Sequence, residues 1–174
     1  MNQAYTNMRR FWMDATNFEN RNGLIEVGPD KIIAAGVEMA VLDGQKLKHL
    51  FVATNSLGDS SLYFENNSPS GLGGQIGGHD NEPLQQAAAH MLAYAGKFTS
   101  QMQKLPVGQD MPATAVADEV RIWALSQKNC FYVKFTQEQL RQAEHPFYPV
   151  FAYSQQMIGF FQTQKPSSHP PARA

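Results

Sequence analysis

Apolar side chains recur at intervals of three and four residues in three segments of the chain, and this spacing places them on one face of an α-helix. The first segment spans 3–19, the second 84–102 and the third 147–161. Between these segments the apolar period changes to two residues, which is typical of β-strands. The pattern therefore predicts an N-terminal, a central and a C-terminal helix, separated by strands.

The strands fall into two groups. Apolar runs flank Asp43-Gly44 on both sides, and Asp-Gly between such runs indicates a β-hairpin with a type I′ turn. A third strand is predicted at 61–65. After the central helix, the runs 120–125 and 131–135 predict a second hairpin. The sequence thus predicts three strands, then two.

Helix starts carry recognisable capping residues. Asp80 or Asn81 precedes the central helix and is of the residue type that accepts hydrogen bonds from the first turn. Thr136 and Gln139 have the spacing of a capping box, which predicts a short helix directly after the second hairpin.

The order of these elements predicts an α+β fold. We expect a single domain over 1–164, with an antiparallel sheet of about five strands packed with N-terminal, central and C-terminal helices. The last residues, 165–174, are polar and rich in proline, so we predict a disordered C-terminal tail. In element order alone the chain is similar to the type III secretion chaperones, and this resemblance implies a role in binding a protein partner.

Glycine occupies five of the eight positions in 71–78, directly before the central helix. A glycine-rich turn at a helix start can present N–H groups to an anion. A phosphate-binding loop needs Lys and Ser or Thr after its last glycine, and here His79 and Asp80 stand there. The carboxylates of Asp80 and Glu82 would also repel a phosphate. We therefore expect a mobile surface loop, or one that closes on a neutral ligand.

If a pocket lies beneath this loop, segment 71–82 is expected to act as a lid. The candidate ligand-binding residues are then Gly73, Gly74, Gly77, Gly78, His79 and Asp80.

The second hairpin carries aromatic and basic residues opposite its obvious core positions. Trp123 and Arg121 alternate with apolar residues on one strand, as Tyr132 and Lys134 do on the next. If the strands pair, Arg121, Trp123, Tyr132 and Lys134 share one sheet face, which suits a peptide, an acidic partner or a planar ligand. The alternative is that helices cover this face and the aromatic residues form a second core layer.

Candidate catalytic and metal-binding groups are sparse. Cys130 begins a strand and by alternation points opposite to Phe131, so we expect that it can be exposed, but no base is bound to lie beside it. Neither the G-x-S-x-G nor the H-E-x-x-H motif occurs. We predict no catalytic residues, no metal site and no cofactor.

Composition narrows the class of partner. The chain has 174 residues, a formal net charge of −1 and 14 Lys and Arg without a run, which disfavours nucleic acid. No stretch approaches eighteen apolar residues, which disfavours a membrane protein. The single cysteine fits a reducing compartment, so we expect a cytoplasmic location.

Two functions follow as hypotheses. The first is a non-enzymatic cytoplasmic module that binds a protein partner or forms a homodimer, because the apolar helical faces exceed what a five-stranded sheet needs and catalytic motifs are missing. The alternative is a small-molecule-binding domain or enzyme with 71–82 as its lid. The N-terminal helix, with Phe11 and Trp12, is expected to pack on the sheet, or otherwise to form a dimer contact.

Overall fold

In the described part of the chain, seven β-strands form one antiparallel sheet at the centre of the structure. The computed structural model describes residues 3–19, 30–66, 71–77, 80–106, 109–112 and 116–163. The strands are β1 (Ala34–Asp43), β2 (Lys46–Asn55), β3 (Ser60–Glu65), β4 (Leu72–Gly77), β5 (Gln103–Pro106), β6 (Glu119–Leu125) and β7 (Asn129–Thr136). Their order across the sheet is β4-β3-β2-β1-β6-β7-β5.

The described helices cover both faces of this sheet. They are α1 (Gln3–Met13), α2 (Thr16–Glu19), α3 (Glu82–Lys97), α4 (Gln137–Leu140) and α5 (Tyr148–Thr163). Helices α3 and α5 pack on one face, and α1 with α2 packs on the other. Among the described helices, none is long and apolar enough to cross a membrane.

The predicted α+β architecture is confirmed, but the sheet has seven described strands rather than about five. The prediction missed β4 because its glycines hide the alternation of a strand, and it missed β5 because that strand has only four residues. The central helix also ends earlier than predicted, at Lys97, and a 3₁₀ turn follows it at Thr99–Gln101. The tail predicted at 165–174 lies outside the described residues.

The first hairpin is confirmed, with a different turn. Strands β1 and β2 pair from Ala34 with Asn55 to Asp43 with Lys46, so Gly44 and Gln45 form the turn. Among these two, only Gly44 has a positive φ, of 63°. A positive φ at the first central position alone is the pattern of a type II′ turn, so the type I′ prediction is wrong.

Capping residues lie where the sequence predicts them. The Asn81 side chain accepts a hydrogen bond from the N–H of Leu84 at 3.0 Å, so Asn81 is the N-cap of α3. Thr136 and Gln139 form the predicted capping box at the start of α4. At the N-terminus, Asp14 accepts hydrogen bonds from the N–H and hydroxyl of Thr16, which divides the predicted helix into α1 and α2.

Each face of the sheet has its own core layer. Side chains of the layer under α3 and α5 include Val37, Val52, Leu84, Met91, Ile122, Phe151 and Phe161. Those of the layer under α1 and α2 include Tyr5, Trp12, Phe18, Phe51, Trp123 and Leu125. Because the sheet is covered twice, the first seven residues of β1 are all buried.

Gly36 provides the space for the largest side chain of the second layer. A Cβ at Gly36 would lie 2.6 Å from Cζ2 of Trp123, and it would also meet the carbonyl oxygen of Val52. The Trp123 ring stacks on Phe51 at 5.4 Å between ring centroids. Since a backbone carbonyl of a central strand cannot move aside, only glycine fits at this position.

Gly36→Ala is therefore expected to destabilise the protein by about 1–3 kcal/mol, the range for overpacking a close-packed core. Urea unfolding followed by circular dichroism measures the change. The matched control is Gly159→Ala on the exposed side of α5, where a Cβ would meet nothing within 4 Å. That variant is expected to gain about 0.5–1 kcal/mol from helix propensity. Equal stability of the two variants would contradict the assigned packing.

Candidate functional site

Strand β4 contains most of the glycine-rich run, so the prediction of a surface loop is wrong for Leu72–Gly77. A Cβ at Gly74 would lie 2.8 Å from Cδ1 of Tyr63, and a Cβ at Gly73 would meet the ring of Phe64. The aromatic rings of β3 therefore occupy the space that side chains of β4 would take. Glycine serves here to admit aromatic rings over the backbone.

The six candidate ligand-binding residues do not form one described loop. Gly73, Gly74 and Gly77 lie in β4, whereas Gly78 and His79 lie outside the described residues. Asp80 is exposed just before α3. Since 72–77 pairs with β3 residue by residue, the lid of the alternative hypothesis is a strand over that range. A ligand-binding role for these residues stays a prediction.

The hydrogen-bond alternation of an antiparallel pair decides which residues of β4 direct their backbone N–H and C=O groups away from β3. The N–H of Asn66 donates to the carbonyl of Gly71 at 3.1 Å, so the hydrogen-bonded pairs that follow are those of Gly73, Gln75 and Gly77 with β3. On the other side of β3, the N–H of Asn55 donates to the carbonyl of Asp59, which fits the same alternation.

Gly74 and Ile76 consequently direct their N–H and C=O groups away from β3, to the outer edge of the sheet. In the described part of the chain no strand pairs with β4 on that side. The Ile76 side chain is 77% exposed, and Gly74 is exposed as well. These two residues and Gln75 between them form an accessible segment, which we call the β4 edge.

The opposite edge of the sheet is of a different kind. Strand β5 has four residues, carries Lys104 and ends at Pro106. Short length, lysine and proline are the features by which proteins prevent further pairing at a sheet edge. Strand β4 has six residues without a charge or a proline. The two edges therefore differ in their capacity to accept another strand.

The aromatic and basic residues of the second hairpin lie on one sheet face, as predicted from the alternation. Trp123 pairs with Tyr132, Arg121 pairs with Lys134, and the Arg121 guanidinium lies 5.8 Å from the Tyr132 ring centroid. Helix α1 packs over this face, so Arg121, Trp123 and Tyr132 are buried and only Lys134 is exposed. A partner-binding role for the four residues stays a prediction, and three of them lie within the second core layer.

Beneath α1 the structure contains a buried ion pair that the sequence analysis did not identify. Glu38, in the middle of β1, is fully buried, and Nε of Arg9 lies 2.7 Å from its Oε1. Nη2 of Arg9 also donates to Glu38 Oε2, and the Tyr5 hydroxyl donates to Oε1, each at 3.1 Å. Burial raises the pKa of Glu38, and the positive charge of Arg9 opposes that rise.

Two arginines of this region also bind the segment 109–112. Arg9 Nη2 donates to the carbonyl of Met111 at 3.1 Å, and Arg121 Nη1 donates to the carbonyl of Pro112. Arg121 is held in turn by Glu119, whose Oε1 lies 2.7 Å from Nε. The buried charges thus connect α1, β1, β6 and the segment 109–112. In the sequence, the signal for a buried ion pair is a charged residue within an apolar strand, such as Glu38 between Val37 and Met39.

Cys130 lies on the same face and is buried, so the prediction of an exposed thiol is wrong. It lines a cavity of about 310 Å³ together with Arg10, Met13, Asp14, Ala15, Gln109, Asp110 and Leu125. Burial raises the pKa of the Cys130 thiol to about 12, so the thiol stays protonated at neutral pH. A protonated thiol is a poor nucleophile, which argues against covalent chemistry in this cavity.

Histidines of the described chain have structural contacts. His49 Nδ1 lies 2.6 Å from Glu65 Oε2, and the ring of His90 stacks on Tyr153 at 4.9 Å. Among the described residues, no group of three or more His, Cys, Asp and Glu side chains has the arrangement of a metal site.

No protein-family model, curated protein or solved structure matches this chain.

Removing the charge of Arg9 is expected to destabilise the protein strongly. Arg9→Met leaves the Glu38 carboxylate buried and unpaired, which typically costs about 3–5 kcal/mol. The double variant Arg9→Met, Glu38→Leu removes both charges and is expected to recover most of that loss. Urea unfolding of the single and double variants forms a thermodynamic cycle. Additive losses in the double variant would contradict a buried, coupled pair.

The Cys130 pKa predicts a loss of stability at alkaline pH. In the unfolded chain the thiol has its ordinary pKa of 9.0, whereas in the folded protein the value is about 12. The unfolded state therefore loses its proton first, and stability falls as the pH rises from about 9 to about 12. From pH 8 to pH 10 this group alone removes about 1.4 kcal/mol.

Urea unfolding at the two pH values tests this prediction, with Cys130→Ala as the matched control. The decrease between pH 8 and pH 10 is expected to be about 1.4 kcal/mol smaller in the variant, since all other titrating groups are shared. An identical decrease in both proteins would contradict a buried, protonated thiol.

Proposed function

We propose that this chain is a non-enzymatic protein-binding module, and that the β4 edge is where it accepts a further β-strand. The observation that carries the proposal is the edge itself: Gly74 and Ile76 direct backbone donors and acceptors outwards from an uncharged strand. Extended peptides bind at such edges by main-chain hydrogen bonds, and side-chain contacts add specificity.

The covered faces of the sheet support the edge as the docking element. Helices pack on both faces, so residues such as Trp123 and Tyr132 contribute to a core. Strand β5 is short and ends in Pro106, whereas β4 has neither a charge nor a proline. An edge without these protective features is the ordinary site of strand addition.

The enzyme alternative has less support from the described residues. Its proposed lid is partly a paired strand, and the Cys130 cavity contains a thiol whose pKa is raised to about 12. The formal net charge of −1 favours a protein partner over nucleic acid. A cytoplasmic location is part of the proposal, supported by the single cysteine of the sequence.

A proline at position 76 is expected to block strand addition and leave the fold intact. Ile76→Pro removes the outward N–H, whereas the hydrogen bonds of β4 to β3 come from the neighbouring residues. We expect at least tenfold weaker association. Association of the protein with itself is measured by light scattering after size exclusion. Binding of a further strand is measured by fluorescence anisotropy with a labelled peptide of alternating threonine and valine flanked by lysines.

Two control variants separate backbone pairing from surface hydrophobicity. Ile76→Thr retains the N–H and is expected to keep most of the association. Leu42→Thr removes an apolar side chain that is 63% exposed at the first hairpin, and it is expected to change nothing. The proposal is wrong if the wild-type protein binds neither itself nor the peptide, or if Ile76→Pro associates as the wild type does.

A further inference from the structure

Resting on the proposed function, we infer that the strand accepted by β4 is the β4 of a second copy of this chain. The two strands run antiparallel, and a two-fold axis passes through Gln75. Each copy then contributes the same short segment, from Gly73 to Gly77, to one continuous sheet.

The register follows from the direction of the backbone groups. Gly74 and Ile76 both point to the outer edge, and an axis at Gln75 places Gly74 of each copy opposite Ile76 of the other. Residues that face each other in this way exchange both of their N–H and C=O groups. The two Gly74–Ile76 pairs therefore form four hydrogen bonds across the axis.

The side chains of β4 complement each other in this register. Ile76 and Gly74 lie on the α1 face of the sheet, and Ile76 is 77% exposed. Opposite Ile76, the second copy presents a glycine, over which its own Tyr63 ring lies. Each exposed side chain therefore meets a position that has none, and it can pack against an aromatic ring. An axis at Ile76 would instead set the two isoleucines directly against each other.

Gln75 supplies an independent observation. Its amide oxygen Oε1 is buried and accepts no hydrogen bond in the described part of the chain. Such a buried acceptor is costly, and native proteins normally supply a donor. The two-fold axis brings Gln75 of the second copy directly opposite, at a Cα separation of about 4.5 Å for a pair of this kind. The oxygen is buried within its own chain, so the Gln75 side chain has to turn toward the axis, where the amide nitrogen of the second copy's Gln75 is a donor of the required type.

The absence of charged side chains from β4 also favours a second copy as the partner. Self-pairing brings each residue of this short strand near its own copy, so a charge on β4 would lie close to a like charge. Residues Leu72–Gly77 contain no charged side chain. No charge repulsion therefore opposes the pairing of β4 with the β4 of a second copy.

Disulfide trapping tests the register. In a Cys130→Ala background, which removes the native thiol, Gln75→Cys places two thiols opposite each other at the axis. We expect oxidation to give a cross-linked dimer on a non-reducing gel at least tenfold faster than for Leu42→Cys, an exposed control position on the first hairpin. Ile76→Cys is expected to react more slowly than Gln75→Cys. Position 76 of one copy lies opposite position 74 of the other, so the two introduced thiols are diagonal to each other and further apart.

The outcomes distinguish the inference from the proposed function. A wild-type dimer that Ile76→Pro dissociates, with fast cross-linking at Gln75, supports both. If that dimer forms but Gln75→Cys reacts no faster than Leu42→Cys, the register is wrong and the edge proposal stands. A protein that stays monomeric but binds the threonine–valine peptide overturns the inference alone. A dimer that Ile76→Pro leaves intact overturns both.

A second measurement covers the case in which Gln75→Cys fails to fold. Amide hydrogen exchange of the unmodified protein, followed by NMR as a function of concentration, reports directly on Gly74 and Ile76. Their N–H groups are expected to become at least tenfold more protected as the dimer forms, whereas the exposed Gln45 in the first turn stays unchanged. Equal exchange of Gly74 and Ile76 in monomer and dimer would overturn the inference.

Discussion

The burial of Glu38 is the constraint on which the rest of the structure depends. A carboxylate in the middle of a central strand is tolerated only with a compensating charge and hydrogen bonds. Arg9 and Tyr5 supply both, and both residues belong to α1. The helix is therefore held on the sheet by a specific polar contact as well as by apolar packing. Arg9 also binds the carbonyl of Met111, so the same group fixes the segment that follows β5.

The position of α1 determines which parts of the sheet are accessible to another molecule. Once α1 lies on the sheet, Trp123 and Tyr132 become part of a core layer, and the sheet face that carries them is covered. Helices α3 and α5 close the other face. A sheet covered on both faces can pair with a further strand only at its edges, and the two described edges differ in length, charge and proline content. Of these two edges, β4 is the one without a charge or a proline.

Periodicity predicted the helices, the first three strands and the second hairpin because each has a regular spacing of apolar residues. It could not predict β4, since Gly73 and Gly74 have no side chains to alternate and their place is taken by aromatic rings of β3. The shared sheet face of Trp123 and Tyr132 was predictable from alternation within the hairpin. Its covering by α1 was not, because local spacing shows that a helix has an apolar face but not which sheet face it meets. The glycine run was identified as a candidate site and expected to be a loop, whereas Leu72–Gly77 is a strand of the sheet.

Glycine explains why β4 can be both well paired and open. With Tyr63 and Phe64 lying over Gly74 and Gly73, the strand is packed from the β3 side without bulky side chains of its own. The same absence of side chains leaves the outer backbone of Gly74 accessible and gives the exposed Ile76 of another strand a position to occupy. Proteins usually prevent pairing at such an edge with charges or proline, because an open edge promotes aggregation. Strand β4 has neither, so a defined antiparallel partner that pairs with Gly74 and Ile76 is also the arrangement that would protect the sheet from uncontrolled growth.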